Sequence, residues 1–322
     1  MKTTVPASLF YCPYCQSDLI IQDKTWRCDG RLHQKHICHP FDVARQGYVN
    51  LLPVQHKKSK EPGDSAESIM ARQRFLEQGF YQPLRTTLIG MIEQYLPKVC
   101  DDKKGLWLDV GCGDGYYTDA IAHIQEIPRL IAIDISKPAV SATAKRFKKQ
   151  SKLWWQAKSN QTINNQKHAI EAEAPLPTGI YPIVSSAAQL PISDGSIHGV
   201  SSIFSPILPD EFARVLQAGG LLIIAKPDIN HLASMRQELF EQVRSHDSDK
   251  FLEHLSTDFE LLATEQVSSQ LALSASQLQD LLTMTPYSYR AKVQRRQALL
   301  AKAQISPFIT EAKFIIYVLQ HH

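Results

Sequence analysis

Apolar residues recur along this chain in two rhythms. Leu84, Leu88, Ile92 and Leu96 stand every fourth residue, the repeat of one helix face, and predict a helix from Gln82 to Leu96. Before it, Asp64 or Ser65 can cap a helix over 66–78 that Gly79 ends. Beyond Pro97 and the charged turn 101–104 the pattern shifts to short, nearly continuous apolar runs. Runs at 106–110, 130–134, 153–155, 197–204, 221–225 and 312–319 have the character of buried strands. Helices are expected at about 116–123, 137–149, 209–216, 232–255 and 275–283. Strands alternating with helices predict an α/β domain around an open, mostly parallel sheet, here in a seven-strand arrangement. Residues 156–181 break the pattern: they are polar, rich in Asn and Gln and end in prolines, and are expected to form an inserted flexible loop.

Chemistry enters where the first run ends. Leu108-Asp109-Val110-Gly111-Cys112-Gly113-Asp114-Gly115 places a loop with glycine at every second position directly after a strand. The next run, Leu130-Ile131-Ala132-Ile133, ends in Asp134. Strand, glycine loop, helix, strand and acid make up the nucleoside-binding half of a Rossmann-like sheet, in which the acid suits ribose hydroxyls. The spacing is GxGxG rather than GxGxxG, and no helix start is reserved for a pyrophosphate. That favours S-adenosylmethionine (SAM), which has no phosphate, over a dinucleotide.

Composition and charge narrow the setting. The chain has 322 residues, of which 43% are hydrophobic and 21% charged, ordinary values for a globular protein. No apolar stretch reaches the roughly 18 residues of a membrane span, and the N-terminus lacks a signal-peptide core, so a cytoplasmic location and no membrane partner are expected. The formal charge of +3 is unevenly spread: residues 1–60 hold nine Lys and Arg against four Asp and Glu. A basic head, including Lys57, Lys58 and Lys60, on a near-neutral body suits a polyanion, although a merely solvated basic surface gives the same count.

The head also carries a metal signature. Cys12-Pro13-Tyr14-Cys15 is a CxxC knuckle, and Cys28 follows after twelve intervening residues. That spacing suits tetrahedral zinc, with His33, His36, Cys38 and His39 all in reach as the fourth ligand. The segment is poor in apolar residues, so a metal would supply folding energy.

CPYC, Cys28, His39-Pro40-Phe41-Asp42 and GYVNLLPVQHKKS…PGDS resemble the head of the RlmA-type 23S rRNA (guanine-N1)-methyltransferases. The similarity continues through ARQRFLEQGFYQPLR, LDVGCGDGYYT, QLPISD and GGLLIIAKP…HL, and ends near LLTMTPYSYRA. The resemblance implies a small zinc domain (residues 1–60) joined to a class I SAM-dependent methyltransferase domain (61–322). It implies methyl transfer to N1 of a guanine in a 23S rRNA hairpin, and a homodimer. It points to His39 as the fourth ligand with Cys12, Cys15 and Cys28, although the loop from Asp29 to Cys38 is longer than the family's and keeps Cys38, His36 and His33 in play.

For SAM, the resemblance implies Gly113 and Asp114 around the methionine part, and Tyr81 and His231 as contacts. Asp109 is expected to order the loop that Gly111 and Gly115 complete, Asp134 to hold the ribose, and Ala188, in the segment Ser185–Pro191, to line the adenine pocket. Ser186 stands where many methyltransferases carry an adenine-binding aspartate. The sequence identifies no catalytic base. It has neither NPPY nor DPPY, and Phe204-Ser205-Pro206-Ile207 stands nearby instead.

Overall fold

The computed structural model describes residues 9–21, 24–57, 59–96, 105–148, 179–241 and 250–322. Its centre is an eight-stranded sheet. Numbered in chain order, the head supplies β1 (Leu19–Ile20), β2 (Thr25–Cys28) and β3 (Pro40–Asp42), which form a small antiparallel sheet, and then β4 (Val49–Asn50). The large sheet adds β5 (Leu106–Val110), β6 (Arg129–Asp134), β7 (Gly179–Val184), β8 (Ile197–Ile203), β9 (Leu216–Pro227), β10 (Phe259–Leu273) and β11 (Phe308–His321). Its order is β10-β11-β9-β8-β5-β6-β7-β4. From β9 to β4 the neighbours run parallel, while β11 lies antiparallel to both β9 and β10.

Most expected elements form. Ser65 caps the helix Ala66–Leu76 by accepting the Ser68 N–H, and the next helix, Gln82–Tyr95, buries Leu84, Leu88 and Ile92 as the four-residue repeat requires. A further helix occupies 137–148. The third parallel strand is misassigned by the apolar pattern. Residues 153–155 lie outside the described residues, and β7 takes the place beside β6. Pro182 hid this strand, because proline argues against a strand interior. The Gly179 and Ser185 N–H groups bond to Pro128 and Asp134, so alternation turns position 182 toward the sheet's outer side. There β4 begins only opposite Ile183, and no ladder bond is lost. The tail of the expected insertion, 179–181, is therefore strand; residues 156–178 lie outside the described residues.

Two further departures concern the C-terminal third. The expected helix 232–255 is broken: Ala233–Leu239 ends where Phe240 turns extended (φ −127°, ψ 144°), and Lys250–Leu255 is separate. Strand β10 has no clear apolar signal because it is an edge strand with one neighbour. Phe259, Val267, Leu271 and Leu273 are buried while most intervening positions face solvent. Helix Val293–Ile305 was equally silent and buries only Leu299 and Ala303.

The head does not rest on metal alone. Phe10, Leu19, Trp26 and Phe41 join one apolar cluster with Leu108, Ile131, Ile183 and Ile192 of the body. Phe10 packs 5.0 Å from Trp26, and both lie against Tyr181 of β7. Among the described residues no helix is long and apolar enough to cross a membrane.

At the middle of the sheet, Trp107 stands opposite Gly199 and Asp109 opposite Ser201. A Cβ on Gly199 would lie 2.2 Å from the Trp107 ring, so glycine makes room for the indole. The Trp107 Nε1–H donates to Ser201 Oγ at 3.0 Å, Ser201 donates to Asp109 at 2.7 Å, and Thr118 donates to the same carboxylate at 2.5 Å. Burial pushes the Asp109 carboxyl up to about 6 against these donors. The ordinary value is about 3.9, so the folded state holds the extra proton between the two, and stability falls as pH rises through that window. The full effect is on the order of 3 kcal/mol. Thermal midpoints between pH 4 and 7 should fall more steeply in the wild type than in Asp109→Asn. Parallel curves would show that Asp109 is ionised throughout.

Candidate active site and metal centre

The site forms where β5, β6, β8 and β9 end, the side of a parallel sheet on which ligands sit. The loop after β5 is fastened from several sides. Gly111 and Cys112 donate to the Ile133 carbonyl of β6 at 2.7 and 3.0 Å. Gly111 has φ +75°, and a Cβ there would lie 2.3 Å from the Ser205 Cβ, so both conformation and space demand glycine. Gly113 donates to Asp134 at 3.0 Å and accepts from Thr143 at 3.0 Å. Asp134 also accepts from Ser136 N at 2.8 Å. Burial pushes the Asp134 carboxyl up, and the two backbone N–H groups oppose that.

The expected residues separate into groups. Asp109, Gly111, Gly113 and Asp114 surround a small cavity at the loop. The Asp114 carboxylate is buried and taken by Arg146 at 3.0 Å; burial raises its pKa and Arg146 opposes the rise. Gly115 caps the helix Tyr116–Ile121 instead of lining that cavity. Tyr81 and His231 line a second, larger cavity of about 920 Å³. Ala188 is exposed, with its amide tied to Ser186 Oγ, and lines neither cavity. Lys57 and Lys60 line a third cavity of about 1140 Å³, where Tyr48, Asn50 and Leu52 of the head face Ile135 and Val184 at the ends of β6 and β7. Lys58 lies outside the described residues.

Other residues of the site were not legible beforehand. Arg72, Leu76, Tyr117 and Phe204 line both the glycine-loop cavity and the 920 Å³ cavity, and so form the passage between them. Phe204 has φ +56°, a strained conformation for a non-glycine residue, and its ring lies 5.4 Å from Phe314 and 6.4 Å from Tyr81. Its place after β8, where other methyltransferases carry a proline-rich motif, was the signal that could have found it. His231 completes this aromatic wall 4.8 Å from Phe314, its Nδ1 2.8 Å from the Lys313 carbonyl. Burial holds His231 down to about 4, so the ring is neutral at pH 7.

In the head, one ligand atom from each of Cys12, Cys15, Cys28 and His39 lies within 4.8 Å of all the others. The Cys12 and Cys28 sulfurs are both 3.5 Å from His39 Nδ1, and Cys15 Sγ is 3.7 Å from Cys28 Sγ. A zinc tetrahedron with bonds of about 2.3 Å to sulfur and about 2.0 Å to nitrogen has edges of about 3.5–3.8 Å, so the cluster fits zinc. Cys38 is exposed and outside the cluster. The His33 Nδ1 accepts from Lys35 N and lies 3.4 Å from Ile37 N, which leaves it organising its own turn, and His36 is exposed at φ +51°.

The fold and these two sites define a SAM-dependent methyltransferase with a zinc-binding head. Residues 108–224 match the methyltransferase domain family, and residues 10–60 match the RlmA N-terminal zinc ribbon. The 23S rRNA (guanine(748)-N(1))-methyltransferase of Streptomyces fradiae is 28% identical over 279 residues, 86% of this chain and 85% of the relative. YxjB of Bacillus subtilis (strain 168), provisionally assigned as a 23S rRNA (guanine-N(1)-)-methyltransferase, is 28% identical over 92% of both chains. A Micromonospora griseorubida protein with the same provisional assignment is 25% identical over 94% of both. In residues 10–60 and 108–224 the chain is similar to the two parts of the RlmA-type methyltransferases, with SAM as methyl donor and one structural zinc.

Proposed function

We propose that this protein transfers the methyl group of SAM to N1 of a guanine in a hairpin of 23S rRNA. The observation that carries the reading is the passage between the two cavities, bounded by Arg72, Tyr117 and Phe204. A donor held at the glycine loop would face a chamber walled by Tyr81, Phe204, Phe314 and His231. Aromatic walls suit the planar face of a base, and enzymes that act on a base must take it out of its stack. SAM, when bound, supplies a methyl group on a sulfonium. The protein's part is to align that group with the acceptor and exclude water.

In this reading Gly111, Gly113 and Asp114 frame the methionine end, Asp109 orders the loop, Asp134 holds the ribose, and Tyr81 and His231 face the methyl group. Cys12, Cys15, Cys28 and His39 hold the zinc. Residues 1–60, with Lys57, Lys58 and Lys60, form an RNA-holding head on the 61–322 methyltransferase body, and two copies acting as a homodimer would clamp one hairpin. The enzyme acts in the cytoplasm, where ribosomal RNA is available. Mass spectrometry of 23S rRNA digests should show 1-methylguanosine at one position in wild-type cells, and that position should be unmodified in a deletion strain. Purified protein should restore it on naked rRNA. An identical methylation pattern in both strains would reject the substrate.

A further inference from the structure

The basic residues of the last helix and its N-cap, Lys292, find acids, with one exception. Lys292 and Arg295 meet Glu241 at 3.3 and 3.1 Å, and Lys302 meets Glu238 at 2.7 Å. Arg296 makes no ion pair among the described residues, and its Nε is buried without a hydrogen-bond partner. The Tyr117 hydroxyl and the Arg72 Nε are also buried without a partner. All three residues line the 920 Å³ cavity, but Arg72 is already paired with Asp64 through its Nη2. Arg296 thus lines the cavity with its charge unpaired, so an occupant that brings an acceptor oxygen finds a partner there.

The other polar groups of the cavity restrict what that molecule is. Asp64 is paired with Arg72 at 3.1 Å, Glu67 is exposed, and His231 is neutral and tied to Lys313. The cavity therefore offers a guanidinium to its occupant with no buried, unpaired carboxylate beside it. That suits an acceptor oxygen that gains negative charge during the reaction. In guanine, N1 carries a proton and its lone pair is conjugated with the O6 carbonyl. The competent nucleophile is the N1-deprotonated base, whose charge resides largely on O6.

We propose that Arg296 binds O6 of the target guanine and stabilises the charge that develops there. This rests on the guanine-N1 reading of the active site. In the balanced step the N1–H proton passes to water, the N1 electron pair forms the new bond to carbon, and the C–S pair stays on sulfur, giving a neutral thioether. Arg296 keeps its protons throughout. It lowers the cost of the N1 anion, and so draws the rising limb of the pH–rate profile to lower pH.

The test compares wild type, Arg296→Met and Arg296→Lys on rRNA. Arg296→Met should lower kcat/KM by about 10²–10³-fold, the loss typical for one donor to a developing oxyanion. Its rising pH limb should move up by about two pH units, with SAM affinity and thermal midpoint unchanged. Arg296→Lys keeps the charge but loses the planar fork, and should recover part of the rate; it carries the comparison if the methionine variant does not fold. Equilibrium binding gives a readout without turnover. A hairpin with 2-aminopurine, which lacks O6, in place of the target guanine should bind the wild type less tightly than the natural hairpin, while Arg296→Met should bind both alike. An unshifted pH limb, a parallel loss of SAM affinity, or undiminished discrimination against 2-aminopurine in Arg296→Met would overturn the assignment. A wild-type enzyme that makes no 1-methylguanosine would instead reject the guanine reading itself.

Discussion

Protein purified without chelator should carry one zinc per chain, and Cys28→Ser should lose both the metal and the fold of the head. Among the described residues the head has only short strands of its own, β1 to β3 with two, four and three residues. Apparent zinc-binding energies of about 10–16 kcal/mol in zinc-finger peptides far exceed what such a sheet supplies. Cys28 is central: its sulfur lies 3.5 Å from His39 Nδ1 and 3.7 Å from Cys15, and it accepts the His39 backbone N–H at 3.0 Å. Loss of the metal frees Phe10 and Trp26 from Tyr181, so a lower melting temperature should accompany it. The glycine loop does not touch the zinc cluster, so calorimetry should still detect SAM binding while methyl transfer to rRNA is lost. Cys38→Ser should keep its zinc and His39→Ala should not. Elemental analysis showing the opposite pair of results would move the fourth ligand to Cys38, and full zinc in Cys28→Ser would dismiss the cluster.

What the sequence disclosed about this molecule was local. The CxxC pair, the glycine loop and Asp134 are short-range patterns whose chemistry depends on spacing, and the structure brings their parts together. The fourth ligand was not local. Spacing alone leaves His33, His36, Cys38 and His39 equally available; the resemblance pointed to His39, and the structure places His39 in the cluster. Strand β7 was missed because Pro182 follows a rule about strand interiors that does not apply where no neighbour needs its N–H. The acceptor cavity was the least legible part. Arg72, Tyr117, Phe204 and Arg296 come from distant elements; only Phe204 had a positional signal, and no spacing marks the other three as cavity lining rather than surface or core. The substrate class came from resemblance to a family and not from any spacing.

Asp134→Ala should weaken SAM binding by roughly 1.5–3 kcal/mol, the scale of a hydrogen bond to a charged group, or about 10- to 150-fold in Kd. The structure gives this carboxylate one task, and the proposed ribose contact adds a second. It accepts Gly113 N at 3.0 Å and Ser136 N at 2.8 Å, so it joins the glycine loop to the turn after β6. That turn is itself anchored, because Ser136 Oγ donates to the Asp64 carbonyl at 2.7 Å. An ionised carboxylate has about four acceptor positions, so two backbone donors leave room for both ribose hydroxyls. Alanine would remove the proposed ribose contact and also leaves two backbone donors unmet, so thermal stability should fall with it. Asp134→Asn separates the tasks: its one carbonyl oxygen can keep the loop contact while charge-assisted ribose binding is lost, and its affinity should fall between the other two. A 2′,3′-dideoxy analogue of S-adenosylhomocysteine should bind the wild type more weakly than the parent compound but bind Asp134→Ala about as well as the parent does. Equal affinity for the parent compound in wild type and Asp134→Ala would show that the acid serves the loop alone.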